Sequence, residues 1–347
     1  MRSGSSWTRT LPAEDNAAPG LETGDEISEE RGKEMREREF YLPSSDGNSR
    51  LHCMEWLPDG EILGAIQIVH GMMEHTGRYR ETAEWLADRG IAVYGHDHLG
   101  HGRTAAEKED LGYFGDRDGE FSLVKDVRRL TLYGKRRYRG KRLFLLGHSM
   151  GSFMVRRTLT VYEDRPDGVI LMGTGSQPEG MVLAGWCLAS LVSAVRGSRS
   201  RSRLLHELSL GNYNRKFRPV QTDHDWLTRD MEKARSFEAD PYCQFLFTAG
   251  AYRDFFRVIL MDQRAERLGR MRTDMPLLLL SGDRDPVGEN ERGVRKVYKR
   301  FSDAGCRDIT LGFYKDARHE LFNETNREEV REDLFSWLLG HLEEQNG

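Results

Sequence analysis

Residues 143–153, LFLLGHSMGSF, pass from an apolar run into a sequence that can begin a helix, with a glycine two residues before and after Ser149. A sharp strand-to-helix turn exposes a serine hydroxyl but crowds the backbone, so Gly147 and Gly151 are needed where a β-carbon would collide. This Gly-x-Ser-x-Gly pattern is typical of a nucleophile at the carboxyl edge of an α/β sheet. Because short patterns also occur by chance, the rest of the chain must supply the context.

Outside that stretch, short apolar runs of strand length alternate with segments of helical periodicity. The predicted strands cover residues 37–42, 51–56, 65–69, 91–94, 143–146, 168–172, 277–280 and 309–313. Helical patterns include residues 79–88, closed by Gly90, and residues 123–133. Apolar strands separated by helices predict a mostly parallel sheet with helices on both faces. We therefore expect an α/β fold.

The last predicted helix has the clearest pattern. Thr325 and Glu328 have the spacing of a capping box at its start. Apolar residues then recur at helical spacing, at Val330, Leu334, Trp337, Leu338 and Leu342. One face of this helix should pack against the sheet.

The alternation of strands and helices fails between about residues 176 and 268, where helix-like stretches follow one another. Such a block predicts a helical cap over the carboxyl edge of the sheet. We expect the core to comprise residues 35–175 and 266–347, with the cap at residues 176–265. Residues 1–34 are polar and rich in Gly, Ser, Pro and acid, which predicts a disordered tail.

Composition excludes several classes of partner. The net charge of −4 offers no global positive field for a phosphate backbone, so nucleic acid is not expected. The longest apolar run, residues 181–195, is shorter than the ~20 residues that a membrane-spanning helix needs. The chain has no apolar signal-peptide core, and its scattered cysteines predict reduced thiols in a cytoplasm. These cysteines are Cys53, Cys187, Cys243 and Cys306.

A serine hydroxyl needs a base to take its proton and a third group to orient that base. Asp285 follows one strand in LLLLSGDRDPVGEN, and His319 follows the next in LGFYKDARHELFNET. The order Ser149, Asp285, His319 is the one expected for a catalytic triad on this fold. The rival acid is Asp283, whose side chain should alternate away from that of Asp285. The non-catalytic alternative has a turn serine, a surface histidine and an aspartate that caps a helix.

An acyl-transfer enzyme also needs hydrogen-bond donors aimed at the developing oxyanion. One should be the backbone N–H of Met150, directly after the serine. The other should come from HGMMEHTGRYR, after the strand at residues 65–69, with Met72 as the candidate. Gly71 would let that loop turn close to the site.

Taken together, HGMMEHTGRY, GHDHLGHGRT, GHSMG, SGDRDPV and ARHELFNE resemble the monoacylglycerol lipase and lysophospholipase branch of the α/β-hydrolases. The resemblance covers residue 37 to the C-terminus. It implies Ser149, Asp285 and His319 as the triad, and Met72 and Met150 as oxyanion donors. It also implies a cap over an acyl-chain pocket, a small-molecule lipid ester as substrate, and no metal or organic cofactor.

One position departs from the family pattern. Animal monoacylglycerol lipases carry a second histidine three residues after the catalytic one, near the glycerol end of the pocket, whereas this chain has Phe322, which is a candidate substrate contact. Glu74 and Arg78 match the family's HGxxEHxxR pattern and are candidate contacts to a polar head group. An ion pair at i,i+4 explains them equally well without a ligand.

The remaining polar residues of interest have a structural as well as a functional interpretation. His96, Asp97, His98 and His101 in GHDHLGH are of the types that bind zinc, but their glycines fit a tight loop equally well. We expect no metal there. His148, beside the serine, is an alternative base, but we expect it to support the site from behind or to serve in packing, because adjacent residues on a tight turn point apart.

The segment MVLAGWCLASLVSAVRG is apolar nearly all round and precedes SRSRSR. It predicts either a lid helix that lines an acyl channel and contacts a lipid surface through arginines, or a buried cap helix with a solvated loop. The arginines are Arg196, Arg199, Arg201 and Arg203.

The sequence therefore predicts a cytoplasmic serine hydrolase that cleaves carboxylic esters with a medium or long acyl chain and a small polar alcohol, through an acyl-enzyme. The alternatives are a peptidase or thioesterase with the same triad, and a non-catalytic binding protein with an α/β-hydrolase fold.

Overall fold

One mixed sheet organises the protein. The computed structural model describes residues 37–211, 213–263 and 273–343. Its strands are β1 (Glu37–Pro43), β2 (Arg50–Trp56), β3 (Gly64–Val69), β4 (Ile91–His96), β5 (Arg142–His148), β6 (Gly168–Met172), β7 (Leu277–Gly282) and β8 (Ile309–Tyr314). All eight predicted strands are present, with ends that differ by at most two residues. The predicted tail at residues 1–34 lies outside the described residues.

The strand order is β1-β2-β4-β3-β5-β6-β7-β8. β2 runs antiparallel to β1 and β4, and the remaining pairs are parallel. Parallel strands end at a common carboxyl edge, so the loops after β3, β5, β7 and β8 meet there. The expected α/β architecture is confirmed.

Helices cover both faces of this sheet and form a cap. They are α1 (Arg80–Ala87), α2 (Gly119–Arg137), α3 (Met150–Val161), α4 (Glu179–Arg196), α5 (Arg203–Ser209), α6 (Met231–Ala239), α7 (Ala249–Asp262), α8 (Arg292–Asp303) and α9 (Arg327–Glu343). Alternate residues of the central strands reach opposite faces, because strand side chains have a period of two. Leu277 and Leu279 share a core with α2, α3 and α8, whereas Leu278 and Leu280 share one with α1 and α9.

The last helix begins later than predicted. Its first residue is Arg327, and the carbonyl of Asn326 accepts the N–H of Val330, so Asn326 and not Thr325 stands before it. Glu328 pairs with Arg331 at 2.8 Å, and no capping box forms. The apolar face is as expected, since Val330, Leu334 and Leu338 are fully buried.

The block between β6 and β7 contains α4 to α7 and, within its described part, no strand. By its contacts this cap belongs to the same unit as the core. The junction at residues 264–272 lies outside the described residues.

Helix α4 packs along α7 and exposes much of its apolar surface. Within the described part of the chain, it is the helix that is long and apolar enough to cross a membrane by length and composition alone, and 11% of its apolar window is buried. Exposed apolar side chains on α4 and α5 are Met181, Leu183, Leu191, Val195, Leu204 and Leu208.

Candidate active site

Ser149 occupies the sharp turn between β5 and α3. Its backbone has φ 51° and ψ −120°, a conformation that costs free energy for a residue with a β-carbon. The turn is tight, because a β-carbon on Gly147 would lie 2.8 Å from the Cα of Ser152, and one on Gly151 would collide with the carbonyl oxygen of Val69. The two glycines of the motif therefore allow the strained serine.

Asp285 and His319 meet beyond the ends of β7 and β8. Oδ2 of Asp285 lies 2.9 Å from Nδ1 of His319, and both side chains are buried. Oδ1 of Asp285 accepts the N–H of Val287 at 2.9 Å. Asp283, the rival acid, has a buried Oδ1 that finds no hydrogen-bond partner among the described residues. The contact with the imidazole belongs to Asp285.

The other nitrogen of that imidazole is available to the serine. Nε2 of His319 is buried and has no hydrogen-bond partner within the described part of the chain. Ser149 and His319 line one cavity. Gly173, which the sequence patterns did not mark, leaves room for the ring, because a β-carbon there would lie 3.0 Å from Cε1 of His319.

The loop after β3 lies against the serine turn. A β-carbon on Gly71 would lie 3.0 Å from that of Ser149, so a side chain there would push the loop away. Met72 and Met150 both line the cavity beside Ser149. Their backbone N–H groups donate to no protein acceptor in the described residues. These two unengaged donors beside the serine stay candidates for an oxyanion hole.

A buried polar network lies behind this loop. Oε1 of Glu74 accepts the N–H of Gly71, the hydroxyl of Tyr79 at 2.9 Å, and a hydrogen bond from Nδ1 of His148 at 2.8 Å. Oε2 of Glu74 accepts from Arg78 at 3.1 Å. Glu74 thus links the loop after β3 to the serine turn.

The charges in the network stabilise one another. Burial opposes the charged form of His148, but the Glu74 carboxylate outweighs it and raises the pKa of His148. Burial alone would raise the pKa of Glu74, because it disfavours the charged carboxylate. His148 and Arg78 nevertheless hold that pKa below its ordinary value. Arg78 also donates to both carboxylate oxygens of Glu320, at 2.7 and 2.8 Å.

The candidate head-group residues do not all border the same cavity. Glu74 lines the main cavity, and it forms the i,i+4 ion pair with Arg78 that the sequence suggested. Arg78 and Phe322 do not line that cavity; they border a separate space of about 10 Å³. Phe322 is buried against Tyr79, with ring centroids 6.4 Å apart. Contact of Arg78 or Phe322 with a substrate stays a prediction.

The GHDHLGH segment forms a hydrogen-bonded loop. The carboxylate of Asp97 accepts the N–H groups of Thr76 and Arg103 and contacts Nδ1 of His52 at 2.9 Å. Burial lowers the pKa of His96 and of His101 to about 4, so these rings are neutral near pH 7.

A different group has metal-binding spacing in the described residues. The ligand atoms of His75, Asp240 and Cys243 all lie within 4.8 Å of one another. Nε2 of His75 already contacts Oδ2 of Asp240 at 2.9 Å, and Oδ1 of Asp240 accepts the N–H of Tyr242. These contacts account for the cluster as a tie between the loop after β3 and the cap.

The cavity has a volume of about 1080 Å³ and extends from Ser149 into the cap. Its lining is largely apolar, and Lys and Arg are absent from it among the described residues. Apolar lining residues include Met73, Phe153, Val182, Leu188, Leu205, Phe245, Phe255, Phe256 and Ile259. Such a cavity suits a long apolar group whose reacting end lies at the serine.

Sequence patterns did not reveal how the cap contacts the histidine loop, which we define as residues 315–326 between β8 and α9. We call residues 225–229 the anchor segment. The carbonyl of Leu227 accepts the N–H of Glu320 at 2.7 Å, and the carbonyl of Thr228 accepts from the Arg318 guanidinium at 2.9 Å. Arg229 donates to the buried carboxylate of Glu324 at 2.8 Å. No local pattern encodes these contacts, because the partners are about 90 residues apart.

Two arginines of the SRSRSR segment contact the core. Arg199 pairs with Asp110 at 2.8 Å and lies 3.8 Å from the centroid of the Tyr113 ring. Arg201 donates to the carbonyls of Glu109, Leu111 and Leu246. These two side chains hold the connection between α4 and α5 on the core.

The sheet order and the strained serine turn together define the class of protein, the serine hydrolases with an α/β-hydrolase fold. A family model described as serine aminopeptidase S33 matches residues 60–326. The chain therefore belongs to this family of α/β-hydrolases.

Individual relatives agree with this assignment. A monoacylglycerol lipase of Mycolicibacterium smegmatis is 30% identical over 303 residues, which cover 85% of this chain and 95% of the relative. The human monoglyceride lipase is 29% identical over 286 residues, or 82% of this chain and 84% of the relative. A carboxyl esterase from Bacillus coagulans has the same fold, with a TM-score of 0.82, 24% identity, and coverage of 89% of this chain and 100% of that one.

Proposed function

We propose that the protein hydrolyses carboxylic esters of lipid type, monoacylglycerol or lysophospholipid-like, through an acyl-enzyme. The observation that carries this proposal is the largely apolar cavity of about 1080 Å³ that reaches Ser149 and His319. The names of the relatives support the same substrate class.

In the proposed mechanism, Oγ of Ser149 attacks the acyl carbon while Nε2 of His319 takes the hydroxyl proton. Asp285 accepts from Nδ1 and stabilises the imidazolium. The N–H groups of Met72 and Met150 donate to the oxyanion. The bond to the alcohol oxygen then breaks, and the alcohol leaves with the proton from His319. Water, deprotonated by the same imidazole, attacks the acyl-enzyme, releases the acid and restores the serine.

The main experiment is Ser149→Ala, with Ser122→Ala on α2 as the matched control. Turnover of a p-nitrophenyl ester should fall at least about 10⁴-fold in S149A, because the nucleophile is lost. Labelling by a fluorophosphonate should also disappear, and S122A should behave as wild type. Retained turnover in S149A would refute the triad and leave the non-catalytic binding protein as the better interpretation.

Acyl-chain length tests the lipid assignment. Each methylene that enters an apolar cavity contributes about 0.8 kcal/mol. The kcat/KM for p-nitrophenyl esters should therefore rise roughly three- to fourfold per methylene until the cavity is filled. A flat or falling profile would contradict a lipid substrate.

The other leaving groups can be ranked by charge. A thioesterase acting on acyl-CoA must accommodate several phosphates, and a lining without Lys or Arg among the described residues disfavours that anion. A peptidase is the second candidate, because Glu207 and Asp223 border the cavity and could hold an ammonium group. Turnover of aminoacyl p-nitroanilides above that of monoacylglycerol would favour the peptidase.

We also propose contact with a lipid surface through the apolar arm, which we define as α4 and α5 (residues 179–209). Met181 and Leu208 are exposed and also border the cavity, so the apolar surface is continuous with the path of a substrate. Since Arg199 and Arg201 contact the core, apolar side chains and not these arginines would carry the contact.

We further propose a cytoplasmic location, with which four free cysteines agree. Cell fractionation tests it.

A further inference from the structure

We propose that Trp226, from the anchor segment of the cap, is a positioning residue for His319. In this inference, which rests on the proposed function, the indole holds the imidazole in the orientation that Asp285 requires and stabilises the positive charge that the imidazole acquires when it takes the serine proton.

The first argument is ring geometry. The centroids of the Trp226 and His319 rings are 5.0 Å apart, with an interplanar angle of 35°. Aromatic faces attract cations at this distance. Trp226 also lines the cavity that Ser149 and His319 line, so its ring lies beside the imidazole within the candidate active site.

The second argument is that Trp226 is held in place. Its backbone N–H donates to Oδ1 of Asn214 at 2.9 Å, and the centroid of its ring lies 5.1 Å from that of Tyr213. Its neighbour Leu227 accepts the N–H of Glu320, the residue that follows the catalytic histidine. The indole and the imidazole are therefore joined through the backbone as well as through their faces.

The third argument is the charge around His319. Asp285 supplies the negative partner at Nδ1. The ring of His148 lies 4.9 Å away, and Glu74 raises the pKa of that ring although burial opposes it. Arg78 is nearby but is paired with Glu320 and Glu74. A cationic His148 would repel a second positive charge on His319, and the indole face offsets that repulsion.

The experiment compares Trp226→Leu, which keeps an apolar side chain but removes the aromatic face, with Trp226→Phe, which keeps an aromatic face. Trp186→Leu on α4 is the matched control, because this cap tryptophan packs on the core and does not line the cavity. We expect W226L to lower kcat about tenfold with a KM within about twofold of wild type. W226F should retain at least about half of kcat, and W186L should retain wild-type kcat.

Two results would overturn the role of Trp226. One is an equal loss of kcat in W226L and W226F, which indicates packing alone. The other is a change confined to KM, which indicates a wall of the substrate pocket. Thermal melting verifies that each variant is folded, and Trp226→Met replaces W226L if the leucine variant does not fold.

S149A, measured alongside, separates this inference from the proposed function. Loss of turnover in S149A with an unchanged kcat in W226L overturns the role of Trp226 alone. Full turnover in S149A overturns the proposed function, and this inference with it.

Discussion

The two parts of the cap differ in how they use their side chains. The anchor segment, residues 225–229, is joined to the histidine loop by hydrogen bonds and by the buried carboxylate of Glu324. The apolar arm instead exposes large apolar side chains, with Leu191 61% and Val195 75% exposed. One part of the cap is thus built into the active site, while the other presents a surface to its surroundings.

The contrast follows from the cost of burying polar groups. A buried carboxylate must be paired, so the groups around Glu324 are bound to one geometry. Exposed apolar side chains on the arm have no such partners to satisfy, and a contiguous apolar surface is typical of an interaction site. The cap should therefore respond very differently to substitution in its two parts.

The largest effect on stability should come from Glu324→Gln. Its carboxylate accepts from Arg229, from the N–H of Arg318 at 2.8 Å and from that of Thr325 at 3.0 Å. Because Glu324 is fully buried while Arg229 is partly exposed, we expect a loss of about 2–3 kcal/mol in unfolding free energy, measured in urea. The matched control is Glu61→Gln, whose exposed carboxylate pairs with the partly exposed Lys141 at 3.0 Å.

The control should lose less than about 0.5 kcal/mol, because exposed ion pairs contribute little. Equal losses in E324Q and E61Q would show that the anchor segment is no more firmly held than the surface, and the comparison between the two parts of the cap would fail.

A smaller, pH-dependent effect is expected where the cap meets α2. Burial, and then the charge of Asp254 on α7, raises the pKa of Glu120 to about 7, although Arg257 lies 2.9 Å away. A raised carboxyl pKa contributes stability that is full below the unfolded value of 4.5 and is lost as the pH rises through about 7. Glu120→Gln does not titrate and escapes that loss.

The unfolding free energy of E120Q relative to wild type should therefore increase by about 1–3 kcal/mol between pH 5 and pH 8.5. Denaturation at both pH values measures it. Glu84→Gln, an exposed position on α1, should show no such change. A difference for E120Q that is constant with pH would contradict the perturbed carboxyl.

The smallest effect on stability should come from the arm. Leu191→Asp combined with Val195→Asp changes exposed positions, so the unfolding free energy should shift by less than about 0.5 kcal/mol for each. Flotation with phosphatidylcholine liposomes should nevertheless decrease, because the apolar contact surface is lost. Arg199→Ala combined with Arg201→Ala is the control and should float as wild type. Unchanged flotation in the aspartate variant would remove the proposed membrane role of the arm.

Several features were predictable because they are local. The eight strands follow from short apolar runs, and the turn at Ser149 follows from glycines at the two positions where a β-carbon would collide. The order of Ser149, Asp285 and His319 along the chain could be read directly, since each follows a predicted strand. Backbone sterics and periodicity involve residues that are only a few positions apart, so they can be recognised directly in the sequence.

What only the tertiary structure decided involves residues far apart in the chain. The sequence left Glu74 and Arg78 between a ligand and an ion pair, and folding joined them with His148 and Glu320 in one buried network. It likewise brought Trp226 onto the imidazole of His319. Such contacts depend on which loops come together at the edge of the sheet. The periodicity of a single segment does not predict this, because each partner alone is an ordinary polar or aromatic residue in its own segment.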